Sequence, residues 1–258
     1  MYKIPATTLF LGKNLIFMPE CPSTNDAMLL LCQAEACPEG TVIVTARQTA
    51  GRGQRGNSWE SEAGKNLTFT VLVKPSFLPI SRQFYLNIFV ALGIRDYLTS
   101  SAGLKVQVKW PNDIVYDQQK IAGVLIENQI SGHMISTTAI GIGLNVNQQQ
   151  FNNNLSATSV RIATGDEYDL STALDLLLHK LELRYLDLKA GKYEALLKDY
   201  LDHLFMLDRQ STFSDQGGTF SGTIRGIDPS GRLLVERFGG TQAYDLKAIQ
   251  YRGELSSG

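Results

Sequence analysis

TVIVTARQTAGRGQRGNSWESEAGKNLTFTVLVK, residues 41–74, decides the fold class of this chain. Its flanks, Thr41–Thr49 and Leu67–Lys74, are dense in β-branched and aromatic residues and read as two strands. Between them Gly51, Gly53 and Gly56 stand in G-x-G-x-x-G order. After a strand, that spacing is the dinucleotide-binding fingerprint, which needs a helix opening on the third glycine and an acidic residue about 20 positions on. Here the third glycine leads into Asn57, Ser58 and Trp59, and position 76 is a serine. The parallel dinucleotide fold is set aside. What remains is a pair of strands joined by a long glycine-rich loop whose amides can approach an anion, with Arg52 and Arg55 as planar cationic forks for phosphate or carboxylate. A merely solvated loop is the competing reading; Trp59, alone in a polar stretch, favours a loop that packs on something flat.

Outward from this segment the periodicities alternate. Ser23 or Thr24 can cap a helix carrying Ala27, Met28, Leu31 and Cys32 on one side and ending before Pro38. Phe84, Tyr85, Ile88, Phe89, Leu92 and Tyr97 predict a long amphipathic helix over 81–98, with Ser81 as its cap. KVQVKW, DIVY, IAGVLIENQI and HMISTTAIGIGLNV read as consecutive strands with a polar DQQK turn between Tyr116 and Ile121. An Asn- and Gln-rich loop over 147–154 precedes two helices broken at Gly191, and from Asp208 the texture changes to short alternating segments with turns at Asp228–Gly231 and Gly239–Gly240. The pattern predicts an α+β fold: a mixed, mostly antiparallel sheet flanked by helices over residues 1–207 and a small β-domain over 208–258.

The composition narrows the function. Across 258 residues, 24 basic and 25 acidic side chains leave a formal charge of −1, which argues against a broad nucleic-acid surface. Locally, Arg47, Arg52, Arg55 and Lys65 outnumber Glu60 and Glu62, a surplus suited to one anionic ligand. Cys21, Cys32 and Cys37 make an odd set with no disulfide framework and read as reduced thiols in a cytoplasmic setting. His133, His179 and His203 are scattered without ligand spacing, so no structural metal is expected. No stretch has the pattern of a leader or of a membrane span.

Two further clusters carry chemistry. In KWPNDIVYDQQKIAGVLIE, residues 109–127, Pro111 fixes an extended turn that places Asn112 and Asp113 where one strand ends and the next begins. An amide and a carboxylate there suit a nucleotide and its Mg²⁺, or they merely shape a turn. Lys120 is either an exposed turn lysine or an anion ligand, and Gly123 allows close approach within its strand. In IGIGLNVNQ, Gly141 and Gly143 interrupt a β-rich run ahead of Asn145 and Asn147. Such glycines mark a bulge or a backbone passing close to a ligand.

Taken together and in this order, Ser23-Thr24-Asn25, RQTAGRG, KWPND and GIGLNVN closely resemble the biotin protein ligases. The resemblance covers residues 1–207 closely and the C-terminal segment more loosely. It implies a catalytic domain like that of class II aminoacyl-tRNA synthetases, followed by a small β-barrel. It implies ATP and Mg²⁺ as cofactors, biotin as substrate, and a lysine on a biotin carboxyl carrier domain as acceptor, with no nucleic-acid or membrane partner; a homodimer is compatible with it.

By that likeness Ser23, Thr24, Asn25 and Gln48 would read the polar head of biotin. Gly51, Arg52, Gly53 and Gln54 would close over it, and Lys120 and Gly123 would border its carboxylate. Arg55, Trp59, Asn112 and Asn145 would hold the nucleotide, Asp113 would hold magnesium, and Lys120, Arg52 and Arg55 would act in catalysis. The commonest glycine loop of the family carries arginines where this chain has Gln54 and Asn57, which bears on retention of the activated intermediate. About 20 residues precede STN, so no N-terminal repressor domain is expected. A lipoate or octanoate ligase or transferase of the same fold, a non-catalytic biotin sensor and a DNA-binding repressor are the alternatives.

Overall fold

The computed structural model describes residues 2–34, 36–152, 156–246 and 248–254, without the side chains of residues 55 and 254. In chain order the larger part comprises β1 (Leu15–Cys21), α1 (Thr24–Ala34), β2 (Val42–Gln48), β3 (Leu67–Val73), α2 (Phe84–Ala102), β4 (Gln107–Lys109), β5 (Asp113–Tyr116), β6 (Gln119–Ser131), β7 (Met134–Leu144), α3 (Val160–Thr164), α4 (Leu170–Lys189) and α5 (Tyr193–Asp202). The seven strands lie in the order β1-β2-β3-β7-β6-β5-β4. Every neighbouring pair is antiparallel except β1 with β2, so the mixed, mostly antiparallel sheet holds.

Alternation along the central strands explains why both faces are covered. Val42, Val44, Phe69, Val71 and Val73 join the large core built with α2 and α4, while Ile43 and Leu72, pointing the other way, pack with Met28 of α1 and Ala139. A strand buried on both faces reads as a nearly continuous apolar run, as TVIV and LTFTVLV do. Thr68 and Thr70 share the face of Leu72, and Thr70 reaches the first turn of α1. The site is assembled there.

Four local expectations change. β1 and α3 were not legible in the pattern. Ser81 does not cap α2; it lies in a short 3₁₀ turn, Ile80–Arg82, and the helix starts after Gln83. The four-residue turn contracts to Asp117–Gln118, both with positive φ (46° and 62°), so Lys120 belongs to β6. Ser23 does serve α1, its Oγ 3.4 Å from the Asp26 amide.

The smaller part holds β8 (Gln210–Asp215), β9 (Gly218–Ile227), β10 (Leu233–Arg237), β11 (Gly240–Tyr244) and β12 (Gln250–Glu254), ordered β11-β10-β9-β8-β12. Among the described residues no ladder joins β11 to β12. The expected barrel is therefore an open five-stranded sheet, because closure needs hydrogen bonds between the two edge strands. This sheet is fastened beside β4: Phe205 N–H donates to Val108 O at 2.8 Å, and Trp110 Nε1 donates to Gly231 O at 2.9 Å. Gly231 has φ of 89° and sits against Phe84 with no room for a Cβ. Among the described residues, no helix is long and apolar enough to cross a membrane.

Candidate active site

The first turn of α1, the end of β2, the glycine loop and the middles of β6 and β7 converge on one polar cavity of about 50 Å³. Ser23, Thr24, Asn25, Gln48, Arg52, Gly53, Gln54, Trp59, Asn112, Lys120 and Gly123 all line it. It opens onto a groove of about 360 Å³ that runs past Asn57, Trp110 and Asp113 to Phe205, in the connection between the two parts, and to Tyr251 of the second sheet. A recess of about 250 Å³ beside Lys109, Lys120 and Arg252 adjoins both. Gly51 and Asn145 stand behind this lining rather than in it.

At the inner end, Gln48 Oε1 accepts from Thr24 N at 2.8 Å and from Thr24 Oγ1 at 3.2 Å. Thr70 Oγ1 lies 2.8 Å from Thr24 Oγ1 and 2.6 Å from Asn25 Oδ1, sharing one proton between them. Asn25 Nδ2 donates to Glu127 Oε2 at 2.7 Å and to Leu125 O at 3.3 Å. Gly141 leaves the space that Asn25 fills: a Cβ there would come 2.5 Å from Asn25 Oδ1. The predicted close approach of a glycine is real here, but its occupant is a side chain of this chain.

The same holds one register pair away. The indole of Trp59 lies directly on Gly143 and against Gly123, with its Nε1 buried and without a hydrogen-bond partner among the described residues. Lys120 Nζ stands 5.4 Å from the indole centroid and 2.6 Å from Asp113 Oδ1. The backbone of Lys120 is clamped by an exchange with segment 156–158, Lys120 N–H to Ser156 O and Thr158 N–H to Lys120 O, each 2.9 Å. Asn145 Nδ2 donates to Thr158 O at 2.9 Å, so Asn145 braces the lysine's backbone. Asn112 Nδ2 donates to Val124 O at 2.6 Å and braces β6 in the same way.

The glycine loop folds on itself: Trp59 N–H donates to Gly51 O at 2.9 Å and Gly53 N–H to Asn57 O at 2.7 Å. Arg52 leaves this small hairpin to meet Glu127 at 2.8 and 3.1 Å and Asp26 at 2.5 Å. Burial alone would lower the Arg52 pKa, but hydrogen bonds and charge from Glu127 and Asp26 raise it. The Arg55 side chain lies outside the described residues. Lys109 is pulled below the usual lysine range, first by burial and then by Lys120, with Asp113 opposing; its Nζ lies over the rings of Phe205 and Tyr251. Glu127 and Thr70 are the residues that reading the sequence missed. Both sit inside apolar strand runs, where a single polar residue on the inward face is the available signal.

Residues 17–147 match the biotin/lipoate A/B protein ligase family, and residues 209–245 match the biotin protein ligase C-terminal domain. The chain belongs to the biotin/lipoate A/B protein ligase family. Among the relatives of this ligase chain, the bifunctional ligase/repressor BirA of Bacillus subtilis is 31% identical over 233 residues, covering 89% of this chain and 71% of the relative. A biotin–[acetyl-CoA-carboxylase] ligase of Paracoccus denitrificans is 28% identical and covers 90% of this chain and 98% of itself. In fold, the ligase superposes on the biotin protein ligase from Aquifex aeolicus in complex with biotin and ATP with a TM-score of 0.80 at 24% identity, covering 94% of this chain and 100% of that one.

Proposed function

We propose that this ligase joins biotin to a lysine of a biotin carboxyl carrier domain in two ATP-dependent steps, with residues 1–207 as the catalytic domain and 208–258 as a small accessory domain. The observation that carries the reading is the cavity itself: a polar end made by Ser23, Thr24 and Gln48, and Lys120 at the mouth. A cyclic urea presents two donors and one acceptor, which hydroxyl and amide groups can satisfy. The apolar dithiolane of lipoate or the chain of octanoate offers this polar end no hydrogen bond in exchange for the water it displaces, which disfavours the related acyl ligases.

In the first step a carboxylate oxygen of biotin attacks the α-phosphorus of ATP; the new P–O bond forms as the bond to the β-phosphate oxygen breaks, giving biotinyl-5′-AMP and pyrophosphate. Lys120 supplies a cation between the two anionic reactants, and Asp113, 2.6 Å away, keeps its Nζ at the junction of cavity and groove. In the second step the carrier amine attacks the acyl carbon, AMP leaves, and the amine gives up one proton. No enzyme nucleophile is required. Trp59 and Trp110 border the wider groove, which suits a flat purine.

Among the described residues no group of three His, Cys, Asp or Glu side chains could cage a metal. Magnesium fits as an ion carried by the phosphates, with Asp113 as the carboxylate in reach, and would neutralise charge there. Incubation with ATP, Mg²⁺, biotin and a purified carrier domain should add one biotinyl group by intact mass. A modified carrier with lipoate or octanoate but not with biotin would overturn the assignment.

A further inference from the structure

Glu127 is the point where three elements meet. From β6 its carboxylate accepts Asn25 Nδ2 on α1 and both terminal nitrogens of Arg52 on the glycine loop. Asn25 in turn contacts Thr70, which contacts Thr24, which is held by Gln48. An unbroken hydrogen-bond path therefore runs from the polar end of the cavity to the loop that covers it. Orienting Asn25 requires only one acceptor and a neutral glutamine would suffice; a carboxylate is needed to hold a guanidinium with two bonds. Arg52 is the second residue of the nine-residue hairpin from Gly51 to Trp59, whose ends are joined by the Trp59 N–H to Gly51 O bond, so fixing Arg52 fixes where the indole sits. Arg52, Gly53, Gln54 and Trp59 of this hairpin line the cavity, so displacing the hairpin opens it.

Building on the proposed function, we infer that Glu127 is the positioning residue that latches the glycine loop, holding Arg52 down over the cavity and linking the latch through Asn25 and Thr70 to whatever fills the polar end. Its work is to set how often the loop opens. Asp26, 2.5 Å from Arg52 but 45% exposed, is the weaker outer partner.

Two measurements test the latch. The first needs no substrate: trypsin cleavage after Arg55 in the unliganded protein, with the thermal midpoint as a check of folding. Glu127→Gln and Arg52→Gln should each be cut about 10-fold faster than the parent, and the double variant no faster than Arg52→Gln, because with Arg52 gone the Glu127 carboxylate has no guanidinium left to hold. Glu127→Asp, which keeps the charge, should recover part of the protection. The second is release of the acyl-adenylate formed from biotin and ATP, which should speed by a similar factor in Glu127→Gln while the maximal rate of pyrophosphate exchange stays within about twofold. Additive effects of the two substitutions on cleavage, or unchanged cleavage in a folded Glu127→Gln protein, would overturn the latch. A parent that makes no adenylate from biotin sinks the functional reading instead, and cleavage still decides the latch.

Discussion

The indole of Trp59 occupies the volume that any side chain on Gly143 would need. Gly143 has an ordinary strand conformation, so its missing Cβ serves space rather than backbone freedom. Gly143→Ala should therefore leave the sheet formed and push the indole off its seat. Overpacking of this kind costs about 1–3 kcal/mol, and the loop, being held mainly at Arg52, is the part that yields. Trp59 emission, isolated in a Trp110→Phe background, should shift to the red on this single methyl. Unshifted emission would mean that the indole does not rest on β7.

Lys120 and Asp113 form a 2.6 Å pair at the junction of cavity and groove, and both are partly shielded from solvent. If the lysine's charge stabilises the developing phosphate charge, Lys120→Met should lower biotin-dependent pyrophosphate exchange by about 100-fold or more. The pair must be separated from its packing role. Removing the lysine leaves a carboxylate uncompensated, so Lys120→Met/Asp113→Asn should recover stability without recovering exchange. Recovery of both would reduce Lys120 to a structural residue.

Glu182 on α4 is buried at 2% exposure, and its carboxylate accepts three successive backbone N–H groups, Leu9, Phe10 and Leu11, at 2.6 to 2.9 Å. Glu182 thus ties three successive residues of the N-terminal segment to α4, beside the bonds of Lys3 to Ser171 and Thr7 to Asp175. Glu182→Ala strands three donors and should cost about 3 kcal/mol of stability, read from urea unfolding. A loss below about 0.5 kcal/mol would show that other contacts hold this segment.

How far the sequence could be read differs between elements for physical reasons. β2 and β3 were legible because burial on both faces makes their apolar runs continuous, and α4 and α5 because Gly191, with φ of 74°, ends one helix before the next begins. β1 was not, since LIFMPEC is an edge strand with one buried position and a proline, and it pairs in parallel with β2. The cavity residues clustered as their motifs suggested, yet their partners did not follow from spacing. Arg52 faces Glu127, 75 positions away, and Asn112 and Asn145 direct their Nδ2 groups at backbone carbonyls. One-dimensional patterns report which residues are polar and inward; they do not report which of them satisfy each other.

The turn that fastens the second sheet offers a test by pH. Asp228 accepts from Ser230 N and Oγ and from Arg232 N and Nε, at 2.6 to 3.0 Å, and so shapes the loop whose Gly231 carbonyl receives Trp110 Nε1. Partial burial alone would raise this carboxyl, but the bonds from Ser230 and Arg232 outweigh it and bring its pKa from 3.8 down to about 2. A carboxyl depressed on folding adds stability that is fully present above its unfolded pKa and is lost as pH falls through the folded one. Asp228→Asn keeps one acceptor oxygen and removes the charge. At neutral pH it should cost on the order of 1 kcal/mol after solvent screening, or about 2–4 °C in midpoint for a chain of this size. Between pH 4 and about 2 the parent and variant curves should converge, since the parent's carboxyl is then protonated while every other group is common to both. A difference that persists unchanged at the acid end would place the turn's stability in its backbone geometry and remove the Asp228 charge from the contact between the two sheets.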